Sequence, residues 1–239
     1  MIERYSRQTM IQQIGIEGHE KINKASVLVV GAGGLGSPAL TYLAAAGVGK
    51  LGIVDSDTVV ISNLNRQFLH SSDDIGRLKT ESAKEKLSRL NNEIKIDIYS
   101  EILNDSNAKN ILSDYEIILG AVDSFETRFV INRTCVLLGI PYIDGGINSF
   151  SGCVMFSYPP YTPCLKCIFP EKNENKKPAS VLGTTAGIIG TIEANIALLH
   201  LLGLPNPIEN KLLVYDGLRV SLDHIDIKQN DECPVCSKP

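Results

Sequence analysis

The chain has 239 residues, a formal net charge of −4, 44% hydrophobic and 21% charged residues. That length supports a sizeable core, the composition is globular rather than disordered, and the acidic balance argues against a nucleic-acid binder. No apolar run amounts to the roughly 18 residues of a membrane span, because the longest, Thr184 to Leu204, is broken by Glu193, Asn195 and His200.

In chain order, Met1 to Arg7 lacks the apolar core of a signal peptide, so the cytoplasm is the expected location. Ser6 is read as the cap of a helix whose Met10, Ile11, Ile14 and Ile22 favour one side. Ala25 to Val30 is a short buried strand, and it feeds directly into Gly31-Ala32-Gly33-Gly34-Leu35-Gly36. A helix of small residues follows from Leu35 to Ala46 and stops at Gly47-Val48-Gly49. Leu51 to Val54 is the next strand and ends at Asp55. The spacing then predicts a helix over Lys79 to Leu90, a strand over Ile94 to Tyr99, a short helix over Ser106 to Leu112 and a strand over Ile117 to Leu119. A helix over Phe125 to Leu138 and a strand over Pro141 to Ile143 complete the first half. Strands alternating with helices up to Gly146 predict a Rossmann-like α/β fold with a doubly wound, mainly parallel sheet.

Beyond Gly145-Gly146 the rhythm changes. Cys153 to Ser157, Leu212 to Tyr215 and Ser221 to Ile227 are expected to be strands that extend the sheet in antiparallel fashion. Glu171 to Pro178 is polar and expected to be mobile, and Gly187 to Leu202 reads as a nearly all-apolar helix in the core or at a subunit interface. Neither a repeat nor a linker is visible. The chain therefore reads as one domain, 1–239, with a nucleotide-binding part over 1–150 and a second part over 151–239.

The glycine run carries the first functional reading. Glycines before a helix let a ligand approach the backbone closely, and the helix start offers unpaired N–H groups and a positive dipole end to phosphate. Gly31, Gly33, Gly34 and Gly36 are the candidates. Asp55, closing the second strand, sits where a carboxylate accepts from ribose hydroxyls; a solvated strand end is the alternative. Arg66 and Lys79 are either two cations gripping a triphosphate or ordinary surface charge. Asp123 follows an apolar strand, where open α/β sheets place ligands, and a carboxylate there suits Mg²⁺ or caps the next helix. Hydride transfer gives no use for that set, which makes a nicotinamide dehydrogenase the weaker reading, and the Walker-A spacing is absent.

Cys164-Leu165-Lys166-Cys167 and Cys233-Pro234-Val235-Cys236 are two CxxC pairs. Each offers two thiolates to a tetrahedral zinc, and the fold must bring the last residues back to the middle of the chain. A redox dithiol is disfavoured because neither pair opens a βαβ unit. Four cysteine ligands make a closed, structural site, with Cys164, Cys167, Cys233 and Cys236 as ligands. Cys135 and Cys153 are expected to be buried and inert. His19, His70, His200 and His224 are scattered and receive no role.

These residues resemble the HesA/MoeB/ThiF family, relatives of ubiquitin-activating enzymes. The resemblance spans nearly the whole chain. It includes Arg4-Tyr5-Ser6-Arg7-Gln8, the glycine run, Ala46 to Gly49 and Asp55-Ser56-Asp57. It continues through Ser62-Asn63-Leu64-Asn65-Arg66-Gln67, Gly76 to Lys79, Asp123 through Arg128 to Asn132, and both CxxC pairs. It implies an enzyme that uses ATP and Mg²⁺ to adenylate the C-terminal glycine of a ubiquitin-like sulfur carrier ending in Gly-Gly, in molybdopterin or thiamine biosynthesis. By position, Gly34 would meet phosphate and Asp55 the ribose. Asn63, Arg66 and Lys79 would hold the triphosphate, and Asp123, followed by Ser124, would position magnesium. Arg7 would reach into a neighbouring subunit's site, which implies a homodimer. The four paired cysteines would bind Zn²⁺. The later half, 151–239, would then carry carrier binding and the zinc.

Some departures refine the expectation. The span Ile168 to Thr185 has no cysteine, so no covalent link to the carrier is expected there and a separate sulfur donor is implied. No sulfurtransferase domain is expected after the second CxxC. Ser124 stands where many relatives have Asn. Two other readings remain: a related adenylating enzyme acting on a tRNA base or a peptide natural-product precursor, and a non-catalytic zinc scaffold.

Overall fold

Strands that are apolar on both faces need cover on both faces, and that requirement organises the first half of the chain. The computed structural model describes residues 3–169 and 180–237; the Glu171 to Pro178 expectation lies outside them. Strands β1 (Ser26–Val30), β2 (Lys50–Val54), β3 (Lys95–Tyr99), β4 (Ile117–Gly120) and β5 (Tyr142–Asn148) run parallel in the spatial order β3-β2-β1-β4-β5. β1 is central, with Val27 beside Leu51 on one flank and Ile117 on the other. One face is covered by α3 (Gly36–Ala46), α4 (Lys79–Leu90) and α8 (Gly183–Leu202), the other by α5 (Ala108–Leu112) and α6 (Phe125–Leu138).

Three antiparallel strands extend this sheet beyond β5: β6 (Ser151–Ser157), β7 (Lys211–Asp216) and β8 (Ser221–Asp226). The result is one sheet of eight strands, the mixed architecture expected from the change of rhythm after Gly146. The strand order reverses between β1 and β4, and open sheets place their ligands at such a switch point.

The N-terminal expectation needs correction. Two helices, α1 (Ser6–Thr9) and α2 (Gly15–Lys24), replace the single one, and Ser6 caps neither. Gly15 takes a φ of +56° and breaks the run. Met10 and Ile11 face solvent, whereas Ile22 is buried. At the other end, α8 starts a turn earlier than predicted. By length and composition it is long enough to cross a membrane, yet it packs against α3, β5 and β6. Glu193 does not interrupt it: the side chain is buried over Gly145 of β5.

Candidate active site

The turn after β1 is dictated by crowding. Gly31 has a φ of +103°, and a Cβ there would stand 2.4 Å from the Ala121 carbonyl oxygen. A Cβ on Gly36 would stand 1.9 Å from the carbonyl oxygen of Gly31. Only glycine lets the chain fold back so tightly that α3 begins against the β1–β4 switch point. No side chain caps α3; Ser37 and Ala39 donate to the Gly33 and Leu35 carbonyls and Pro38 has no N–H, so it is the amides of Gly33, Gly34, Leu35 and Gly36 that are left for a ligand.

Asp55, just past β2, is tied into this loop. Its Oδ2 accepts from the Ala32 N–H at 2.8 Å and its Oδ1 from the Asp57 N–H at 2.8 Å. The segment after it begins with a single 3₁₀ turn, Ile61–Asn63, in which the Asn63 side-chain oxygen accepts from the Val60 N–H at 3.2 Å. Arg66 follows. Its Cγ and Cδ lie 3.5 and 3.6 Å from where a Cβ on Gly34 would be, so the arginine stem lies against the glycine loop. Its guanidinium donates to the Ser62 carbonyl at 3.0 Å and to the Asn65 side-chain oxygen at 2.8 Å. Gly183 abuts the Asn65 carbonyl, and Ala186 abuts Gly34. The uncapped start of α8 thus brings a second helix N-terminus to the same place.

Lys79 opens α4 and is 5% exposed. Its Nζ meets Asp57 Oδ2 at 2.8 Å, while Asp57 itself is largely in water. Asp123 lies exposed beyond β4, with no hydrogen bond or ion pair to the described residues. The cap of α6 is Ser124, whose Oγ accepts from the Thr127 N–H at 3.4 Å; Asp123 does not fill that role. Asp123 is thereby left as a bare carboxylate at the open end of the sheet, a donor of the kind magnesium takes.

Arg7 stands apart. It borders a groove with Asn195, Leu198, Leu199 and Leu202 of α8, nine to sixteen positions along the helix from Ala186, or about 14 to 24 Å at the helical rise. Among the described residues its guanidinium has no partner. Within one protomer it does not join the cradle.

His70, which has no role on the sequence alone, and Gln67, which enters there only as part of a motif, also lie against the glycine loop. Gln67 is buried against Gly33, with its Oε1 unpartnered. His70 is buried with Nδ1 2.8 Å from Ser82 Oγ and Nε2 2.9 Å from the Ala32 carbonyl oxygen. Burial pulls its pKa below the ordinary histidine value, so the ring is neutral. Leu69 before it is buried while Phe68 is exposed, so the apolar pair alone gives no sign of which way the segment turns.

A second polar cluster lies under β5. The Arg128 guanidinium holds Asp144 through two hydrogen bonds, one of them 2.8 Å from Nε, and the Tyr142 hydroxyl donates to the same carboxylate. Cys153, expected to be buried, is partly exposed and lies close to Arg128 around Gly146. Cys135 is buried as expected.

The four CxxC cysteines converge at α7 (Leu165–Ile168), which carries Cys167. Their sulfurs all lie within 4.8 Å of one another, with Cys164–Cys233 at 3.6 Å, Cys164–Cys167 at 3.9 Å and Cys167–Cys236 at 3.3 Å. A tetrahedral zinc with bonds of about 2.3 Å needs sulfurs about 3.8 Å apart, so the set fits. Burial pushes the Cys164 thiol up, and burial with neighbouring thiols carries Cys236 to about 11. Holding four thiolates there calls for a cation between them.

The site is thus a glycine cradle at a sheet switch point, flanked by two basic side chains and an open carboxylate, with a separate closed cysteine cluster. That combination has more use in phosphate chemistry than in hydride transfer. The ThiF family model matches residues 5–235, and the chain belongs to this family of ATP-using, E1-like adenylyltransferases. The sulfur carrier protein adenylyltransferase of Thermus thermophilus is 40% identical over 245 residues, covering 98% of this chain and 90% of that one. The adenylyltransferase and sulfurtransferase MOCS3 of Arabidopsis thaliana is 40% identical over 243 residues, and the alignment covers 98% of this chain but 52% of the relative, about half its length. Among solved structures, E. coli MccB with AMPCPP and MccA superposes with a TM-score of 0.87 at 25% identity, covering 98% of this chain and 74% of MccB.

Proposed function

We propose that this enzyme uses ATP to adenylate the C-terminal glycine of a ubiquitin-like sulfur carrier, releasing pyrophosphate. The observation that carries this reading is the convergence at one place of the uncapped α3 start, Asp55, the Arg66 stem against Gly34, and the buried Lys79. The 40% identity to a sulfur carrier adenylyltransferase supplies the substrate class.

The chemistry asks for little beyond charge and position. A C-terminal carboxylate is ionised at neutral pH, so no general base is needed. The difficulty is that an anion must approach the α-phosphate while another anion departs. The α3 and α8 amides, with Gly31, Gly33, Gly34 and Gly36 keeping the loop open, cradle the phosphates. Asp55 orients the ribose, and Asn63 braces the segment that presents Arg66. Arg66 and Lys79 stabilise the charge that builds on the phosphoryl oxygens. Asp123, beside Ser124, would hold magnesium, which when bound supplies further neutralisation of the phosphates. Arg7 serves the neighbouring protomer's site in a homodimer, with its apolar groove as part of the contact. Residues 1–150 then form the nucleotide part, and 151–239 the carrier-binding and zinc part, where β8 and its hairpin expose Leu218, Val220, Leu222 and Ile225. Cys164, Cys167, Cys233 and Cys236 hold structural zinc. A separate donor delivers sulfur to the acyl-adenylate, and six cysteines outside any disulfide suit a cytoplasmic location.

The test is ATP–pyrophosphate exchange with purified carriers of the molybdopterin and thiamine pathways. Exchange that requires one of them, and fails when its terminal Gly-Gly is removed, supports the reading and names the pathway. Exchange with a short peptide and no carrier would favour action on a peptide precursor, for which the likeness to MccB is the ground.

A further inference from the structure

His70 joins three pieces of the cradle that are far apart in sequence. It ends the segment that bears Arg66, and its backbone N–H donates to the Gln67 carbonyl at 2.9 Å. Its Nδ1 meets Ser82 of α4, the helix that Lys79 opens, and its Nε2 meets the carbonyl of Ala32, inside the glycine loop. The tautomer follows from the partners. A carbonyl oxygen only accepts, so Nε2 carries the hydrogen and donates to Ala32, which leaves Nδ1 to accept from the Ser82 hydroxyl. The same residue, Ala32, donates its N–H to Asp55. One residue is therefore clamped at both its polar groups, by the proposed ribose carboxylate through its N–H and by a buried imidazole through its C=O.

We infer that His70 is a positioning residue for the adenylation reaction: it holds the Ala32 carbonyl so that the following Gly33 and Gly34 present their N–H groups to the nucleotide phosphates. This rests on the proposed nucleotide site. The loop needs such a clamp because its glycines have no side chains of their own to restrain it, and glycine carries the largest backbone freedom. Without the imidazole the Ala32 carbonyl is left buried and unpaired, which costs enough to move the loop. His70 touches no reacting atom, and its effect falls on ATP binding rather than on the carrier.

Two near-isosteric substitutions separate its two hydrogen bonds. His70→Gln keeps an amide N–H at the place of Nε2. His70→Asn keeps an acceptor at the place of Nδ1 and removes the donor to Ala32. Full-length protein is assayed for pyrophosphate exchange with carrier, and, free of nucleotide, for hydrogen–deuterium exchange over residues 31–36. The expected result for His70→Asn is a rise of about 5- to 100-fold in KM for ATP, the span of one lost buried hydrogen bond. Its KM for carrier stays unchanged, and the amides of 31–36 exchange faster. His70→Gln restores both ATP affinity and protection. Ser82→Ala, which frees the tautomer and leaves the ring in place, gives a smaller change in the same direction and serves if His70→Asn does not fold. Equal behaviour of the Asn and Gln variants, in KM and in amide protection, overturns the inference. If wild type shows no ATP-dependent exchange, the functional reading fails, and the amide protection of 31–36 in the two variants still decides whether His70 holds the loop.

Discussion

Removing the metal expected at the cysteine cluster should release the C-terminal tail, and the size of that effect follows from where the ligands lie. Cys164 and Cys233 are 69 positions apart. A cross-link closing a loop of that length lowers the entropy of the unfolded chain by an amount worth about 4 kcal/mol at room temperature. That is a large part of the roughly 5 to 15 kcal/mol by which a domain is stable. For a chain of 239 residues, at about 2.1 cal/mol/K per residue, the unfolding entropy is about 0.5 kcal/mol/K, so the melting temperature should fall by about 8 °C. Scanning calorimetry of the purified protein, before and after dialysis against a chelator, measures this directly. Cys233→Ser should reproduce the chelated value, and colorimetric release should count one zinc per chain. Chelated and loaded protein melting at the same temperature would refute the argument, because a closed four-sulfur site joining such distant segments cannot be thermally silent.

Gly36→Ala would bring a Cβ to 1.9 Å from the Gly31 carbonyl oxygen; the loop must move, and stability should drop by about 1 to 3 kcal/mol in urea titration, with ATP binding lost. Arg66→Ala should slow carrier-dependent pyrophosphate exchange by about 10²- to 10³-fold, as for loss of one electrostatic stabiliser. Arg7→Ala should be similarly impaired, yet mixing it with Arg66→Ala should restore activity to about a quarter of wild type, since half of randomly exchanged dimers regain one complete site; no recovery after verified subunit exchange would place Arg7 in its own protomer's site. Both carboxyl oxygens of Glu193 lack partners, and burial pushes its pKa well above the ordinary 4.5. The folded protein thus keeps a proton that the unfolded chain releases. Stability from this group is full below the unfolded value and is lost as pH rises toward the folded one, by up to about 1.4 kcal/mol per pH unit. Glu193→Gln should flatten that decline in urea midpoints between about pH 5 and 8, and parallel curves for the two proteins would show that the linked group is another.

Much of the fold was legible because its signals are local. The first-half strands are short apolar runs bounded by polar or glycine residues, and α4 and α6 start and stop where helix formers do. The N-terminal apolar residues suggest one helical face, but Met10 and Ile11 are exposed and Gly15 breaks the helix. The apolar run marks α8 only from Gly187, whereas Gly183 packs against Asn65 and the helix begins there, through Thr184 and Thr185. At the site, glycines and charges could be listed from sequence, but not their partners. That Lys79 pairs with Asp57 and that His70 meets Ala32 depends on contacts 22 and 38 positions apart, which no window of sequence displays. The cysteine pairs were the exception, since their spacing itself encodes a chelate.

The ion pair between Lys79 and Asp57 has a consequence for selectivity. The lysine is sheltered and its carboxylate companion is mostly in water, so the companion can swing away at little cost while the lysine stays put. On the proposed role of Lys79, nucleotide entry at this corner is a substitution of one anion for another. A lone phosphate offers little more than the carboxylate it must displace, whereas a polyphosphate chain engages several donors of the loop at once. With Lys79 in that role, the resting pair would keep a pre-formed positive site from collecting the small anions of its surroundings.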